Sequence, residues 1–182
     1  MTISGLSQSK GFLEEVYRYI EDPGPFEWNR EPGHVPLIPF ASTQAALEND
    51  WHRSQGFLSL NGQWQFQWSE NPAAVSQDFY RPDFNDAQWQ SIRVPGNWEM
   101  QGFGDPVFRN ITQPFQAKPP LVPHDYNPTG SYRKHFSLPA NWQNKQVFLH
   151  MEAARSASFV GVNGNIDSRR TAIECLAPAA GQ

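Results

Sequence analysis

The sequence has little with which to staple itself and nothing long enough to cross a membrane. It holds one cysteine, Cys175, which excludes an internal disulfide framework. No apolar run approaches the roughly 20 residues that a bilayer requires, so a transmembrane helix is excluded. Charge of neither sign is concentrated: 14 Lys and Arg against 18 Asp and Glu leave −4, and no basic block is present to track a phosphate backbone. A nucleic-acid partner is therefore not expected. The first thirty residues lack a basic segment followed by an apolar one and lack a small-residue cleavage site, which with the lone cysteine predicts a cytoplasmic protein. The five histidines, at 34, 52, 124, 135 and 150, have no metal-ligand spacing, so the residues themselves assign no metal site.

Aromatic, proline and glycine residues are plentiful instead. Seven Trp, thirteen Phe and five Tyr, with sixteen Pro and thirteen Gly, favour many short strands joined by turns over long helices. At 182 residues the chain is long enough for one sizeable core, since a domain of about 150 residues buries roughly 70% of its unfolded surface. The expected class is mostly β, with an N-terminal helix and extended arm over 1–40, a β domain over 41–164 and a separate tail over 165–182.

Along the chain, Ser9 to Ile20 places Phe12, Leu13, Val16, Tyr17 and Ile20 on one helical face, and Pro23-Gly24 stops it. A helix this short needs something to dock on, either its own domain or another domain or subunit. Asp22 to Phe40, with five prolines, reads as an extended covering strap. Thr43 to Trp51 adds a helical turn or two.

Phe57 to Trp68 reads as a hairpin turning at Asn61-Gly62. On its far side Trp64, Phe66 and Trp68 alternate with Gln63, Gln65 and Gln67, the period of a strand with one buried face. That aromatic stripe suits a core or a sugar-stacking platform. Further strands are expected at Gln90 to Val94, Ser131 to Leu138 and Gln146 to Met151, the last two paired. Ala157 to Val162 begins a second hairpin at Asn163-Gly164, but 165–182 shows no alternation and promises no returning strand.

The stretch from Val94 to Phe115 fits no periodicity. Pro95, Gly96, Gly102, Gly104, Pro106 and Pro114 break both helix and strand, while Trp98, Phe103, Phe108 and Phe115 supply enough apolar area to hold an irregular path. A loop of that length and composition is expected to carry a functional surface, with Trp98 and Phe103 as supports. Its carboxylates, Glu99 and Asp105, together with Asp125, are not brought together by anything in the sequence, so no catalytic pair is assigned. Asn110-Ile-Thr112 matches a glycosylation acceptor, discounted for a cytoplasmic chain. By itself Asn110 reads as a residue bonding its own backbone in a turn.

Several blocks, in order, carry a resemblance: Asn29-Arg-Glu-Pro32, Ser59-Leu-Asn-Gly-Gln-Trp64, Val94-Pro-Gly-Asn-Trp-Glu-Met-Gln-Gly102, Asn110-Ile-Thr112, Asn127-Pro-Thr-Gly-Ser-Tyr132, Ser156-Ala157 and Val162-Asn-Gly164. Over residues 20–164 the chain resembles the N-terminal domain of the large multidomain β-galactosidases of glycoside hydrolase family two. The resemblance implies a galactose-binding-like jelly-roll β-sandwich resting on a (β/α)₈ barrel that holds both catalytic glutamates. It further implies that Asn110 reaches over that barrel to contact the bound galactose, and that the full-length protein uses magnesium and sodium. The galactoside and the remaining domains or subunits are then the partners, and the present chain has no catalytic residue of its own. Gln113, where the family often has an aromatic residue, is a departure. After Gly164 the family pattern is lost, so 165–182 is expected to be an aberrant tail on a truncated product. The alternative is a stand-alone carbohydrate-binding or subunit-complementing module.

Overall fold

The computed structural model describes residues 9–24, 35, 37–76, 78–106, 118–154, 157–164 and 171–175, with the backbone alone at 9–12 and 171–175. Two helices, α1 (Ser9–Glu21) and α2 (Thr43–Glu48), precede five strands: β1 (Gly62–Ser69), β2 (Gln90–Val94), β3 (Thr129–Arg133), β4 (Val147–Met151) and β5 (Thr171–Cys175). Strands β2, β1 and β3 form an antiparallel sheet in that order, and β4 pairs with β5 in parallel. The class is mostly β, as composition indicated. No helix among the described residues is long and apolar enough to cross a membrane.

β1 occupies the centre because its alternating aromatics need cover. Phe66 is 1% exposed and faces Gln90 on one side and Tyr132 on the other. Ile92, also 1% exposed, lies opposite Trp64. Full burial of such a side chain contributes about 1.5–3 kcal/mol. The glutamines of β1 are only partly wet, since Gln65 and Gln67 are half-buried and Gln63 is exposed.

The expected hairpin at Asn61-Gly62 does not form. A tight two-residue hairpin turn of this type needs positive φ at both central residues, and only Gly62, at 116°, has it. A strand has two edges, and those of β1 are taken by segments that lie far downstream in sequence. Phe57 to Leu60 therefore stays outside the sheet, and the Leu60 carbonyl accepts the Trp64 indole N–H at 2.8 Å.

The expected pairing of β3 with β4 is also corrected: β3 joins β1, and β4 joins β5. Residues Thr171–Cys175 of the tail supply that last strand; it pairs with β4 and does not return on Ala157 to Val162, and its backbone ladder requires no period-2 pattern. Ala157 to Val162 is not a strand, although Asn163 and Gly164 do turn sharply, with φ of 52° and 78°.

Helix α1 docks on its own chain. Val16 and Tyr17 are buried, and the Tyr17 ring stacks on His124 with centroids 3.8 Å apart. Glu21 accepts the Val122 N–H at 3.1 Å, and its Oε1 lies 2.8 Å from His124 Nε2. The bond to His124, then that to Val122, holds the Glu21 carboxyl below the usual carboxylate range. The proline-rich strap expected next falls largely outside the described residues.

The irregular excursion from β1 to β2 is tied down by Arg133. Its Nε donates to Asp86 Oδ2 at 2.8 Å, and its Nη1 donates to the carbonyls of Phe79 and Arg81. The guanidinium also lies over the Phe84 ring, 5.4 Å from its centroid. Burial alone would raise the Asp86 carboxyl, but the bond and charge of Arg133, with His135 adding to both, bring it below the usual range.

A carboxyl depressed in the fold contributes stability that is complete above its ordinary value of about 3.9 and is lost as pH falls through the folded value. Urea unfolding followed by tryptophan emission should therefore show a midpoint falling between about pH 5 and pH 2. Asp86→Asn should be less stable at pH 7 and flatter across that window. An unchanged slope in the variant contradicts the assignment.

Candidate functional site

The loop that follows β2 is built by its own side chains. From Val94 to Pro106 its path is set by a short 3₁₀ turn, Glu99–Gln101, in which Gln101 N–H and Phe103 N–H both bond the Trp98 carbonyl, at 2.9 and 3.1 Å. Gly102 ends the turn at φ 90°, in the left-handed region that other residues avoid. The Gln101 carboxamide reaches back to β2: its Oε1 accepts the Arg93 N–H at 2.8 Å, and its Nε2 donates to the Arg93 carbonyl at 3.0 Å. One amide thus satisfies both backbone groups of a strand-end residue. At Gly96 an added Cβ would sit 2.8 Å from Gln101 Nε2.

Two aromatics seat this loop on the sheet. The Trp98 ring lies 6.0 Å from Phe66, and Phe103 meets Phe66 edge-on at 4.7 Å. Tyr132, from β3, closes the group at 4.7 Å. Its hydroxyl is pushed up by burial and, to a smaller extent, by the charge of Glu99. Trp98 and Phe103 are thus the supports that the sequence suggested.

Beside this aromatic group lies a cleft of about 390 Å³ between the end of β1, the turn before β2 and the loop. The residues that line it are Phe66, Gln67, Trp68, Gln88, Trp89, Gln90, Gly102, Phe103 and Gly104, none of them charged. Gly104, at φ 63°, lies against the Trp68 indole so closely that an added Cβ would be 2.9 Å from Nε1.

Asn110, the residue singled out as a sugar contact, lies outside the described residues, as does the rest of the loop from 107 to 117. Of the loop carboxylates, Glu99 starts the 3₁₀ turn and lends its carbonyl to Gly102 N–H at 3.3 Å. Asp125 uses its backbone carbonyl to accept from Asn71 Nδ2 at 3.0 Å. Among the described residues no group of three or more His, Cys, Asp or Glu is placed to hold a metal.

Sequence reasoning missed three residues here. Gln101 and Gly130 were read only as members of motifs, and Phe66 as one of three equivalent aromatics. Gly130 leaves no room for a side chain, since a Cβ would fall 2.5 Å from Trp98 and 2.8 Å from Phe66. Gly130→Ala should accordingly cost about 1–3 kcal/mol, read from the urea midpoint, and should shift tryptophan emission as Trp98 is displaced. A variant as stable as the parent would show that the loop does not sit against β3.

A family model described as "Glycosyl hydrolases family 2, sugar binding domain" matches residues 57–172, which include the whole sheet and the loop. Similar curated proteins are the β-galactosidases of Priestia megaterium (strain DSM 319 / IMG 1521), 35% identical over 147 residues, and Psychromonas ingrahamii (strain DSM 17664 / CCUG 51855 / 37), 42% identical over 131 residues. A β-galactosidase of Streptococcus thermophilus is 35% identical over 156 residues. The matches take in 79%, 72% and 84% of this chain but only 14%, 12% and 15% of those proteins, so the chain spans about a seventh of the length of the relatives it matches. With the central sheet, the motif-built loop and the family match over the same residues, the chain belongs to glycosyl hydrolase family 2 and corresponds to its sugar-binding domain.

Proposed function

We propose that the chain serves as the substrate-positioning domain of a β-galactosidase that hydrolyses terminal β-D-galactosides such as lactose. The observation that carries this reading is the family match across the sheet and loop, in a chain whose relatives are named β-galactosidases. The two carboxyl groups that retaining hydrolysis needs, about 5–5.5 Å apart, are supplied on this reading by a barrel domain outside the chain. Magnesium and sodium belong with that larger assembly. A single cysteine accords with work in the cytoplasm.

In this arrangement Asn110 offers an amide donor and a carbonyl acceptor to neighbouring hydroxyls of the galactose. Such contacts orient the sugar ring without taking part in bond cleavage. Support comes from its position: it follows a loop whose first half is held to the sheet by Trp98, Gln101 and Phe103.

The test is a domain exchange. The chain alone should leave a chromogenic β-galactoside uncleaved. Replacing the matching region of the Priestia megaterium enzyme with residues 20–164 should give an active hybrid. In that hybrid Asn110→Ala should lower kcat/KM about tenfold to a hundredfold, the loss expected when a partner of a buried hydrogen bond is removed. Cleavage by the isolated chain, or a hybrid indifferent to Asn110→Ala, overturns the reading.

A further inference from the structure

We infer that the outer edge of β2 is a pairing surface for a second copy of this chain, kept shut by the side chain of Gln101. The inference is independent of Asn110 and of any galactoside. β2 stands at one end of the order β2-β1-β3, so one side of it faces away from β1. An edge strand presents backbone donors and acceptors that a further strand can take up. Arg93 shows which residues point outward. Its N–H and its carbonyl both bond the Gln101 carboxamide, at 2.8 and 3.0 Å, and so face away from its β1 neighbour Gln63. Because outward and inward residues alternate along an antiparallel strand, Ser91 turns its backbone groups the same way.

The cover on Arg93 is a single side chain that stands in for a strand. A carboxamide carries an N–H donor and a carbonyl acceptor, as a peptide group does, so Gln101 gives Arg93 what a residue of a neighbouring strand would give. Its Nε2 lies 3.4 Å from the Asn97 carbonyl as well. The 3₁₀ turn aims it: the Gln101 N–H is fixed to the Trp98 carbonyl at 2.9 Å, and the Trp98 ring lies 6.0 Å from Phe66 of β1. Gly96 leaves the space, since a Cβ there would fall 2.8 Å from Nε2 and 3.0 Å from the Arg93 carbonyl. Gln101 is exposed, so water competes for both of its bonds to Arg93.

Symmetry and the strand's own sequence select the occupant. Two copies of Gln90–Val94 set antiparallel about a two-fold axis at Ile92 place Ser91 of each copy opposite Arg93 of the other. Both pairs then exchange N–H to carbonyl bonds in each direction, and every one of those bonds uses an Arg93 group that Gln101 holds in the single chain. The register also sets Ile92 against Ile92 and Gln90 against Val94, with no like charges opposed. A slide of the partner by a further pair of residues sets Arg93 against Arg93, where like charges repel, or against Trp89, outside the strand. The edge therefore fits a second copy in one register, and Gln101 decides whether that register is open.

The experiment compares the full chain with Gln101→Ala, by sedimentation velocity and by hydrogen exchange followed amide by amide. In the parent, the Arg93 amide should exchange roughly tenfold or more slowly than that of Ser91, whatever the protein concentration. In Gln101→Ala the Arg93 amide should lose that protection in dilute solution and regain it, together with Ser91, as the chain is concentrated. The association constant should rise roughly tenfold or more above the parent's. Adding Ser91→Pro removes an outward N–H from the edge and leaves the bonds to β1 in place, so this double variant, folded by circular dichroism, should associate as the parent does. Equal exchange of Arg93 and Ser91 in the parent overturns the inference without any variant having to fold. So does a Gln101→Ala chain that associates no more than the parent, association without protection at Ser91 and Arg93, or a folded double variant that associates as Gln101→Ala does. Asn110 is tested by hydrolysis in the hybrid enzyme, so the two readings fail separately.

Discussion

The burial of Phe66 is the constraint on which the rest of the structure depends. This ring sits on the central strand, 1% exposed, and is met by Trp98 and Phe103 from the loop and by Tyr132 from β3. Each aromatic pairing of this kind contributes about 0.5–1.5 kcal/mol beyond the area it buries. The loop has little hydrogen-bonded ladder of its own, so its position derives from those rings. Gly130 belongs to the same constraint, because the rings can close over β3 only where no side chain stands. A change at any one of these five residues is therefore felt at the other four.

Polar contacts do for the irregular segments what Phe66 does for the loop. Residues 78–86 run without regular structure, and their carbonyls must find donors. Arg133 meets that need because a guanidinium has several N–H groups fixed in one plane, which can serve a carboxylate and two carbonyls at once. Helix α1 shows the same economy, with one carboxylate, Glu21, engaging both a backbone N–H and His124. These contacts place the walls of the cleft, since the turn that carries Gln88 and Trp89 begins at Asp86.

Much was legible before any coordinates. The helix over 9–20, the strand at Gln90 to Val94, the turn at Asp86 to Trp89 and the strand ending at Met151 all follow from local periodicity and turn chemistry, and each is present within a residue or so. The order of motifs from Ser59 to Gly164 pointed to the family that the comparison then showed. What could not be read was who pairs with whom. The pattern of Trp64, Phe66 and Trp68 says that a strand is half-buried, yet it is silent on whether the neighbour is the preceding segment or one 28 residues later, as Ile92 is to Trp64. The tail strand was missed for the related reason that a five-residue parallel pairing leaves no alternating signature.

The sequence by itself determined the mostly β class, the family and the places where the chain must turn, because those depend on side-chain type, spacing and the φ preferences of Gly, Asn and Pro. Only the tertiary structure decided that β1 is central, that Phe66 rather than Trp64 or Trp68 is the fully buried ring, and that Gln101 closes the loop onto Arg93. It alone also brought three glutamines and four aromatics to the rim of one cleft. The physical reason is that strand pairing and ring packing are long-range choices, settled by which edges and surfaces remain available once the central strand is covered.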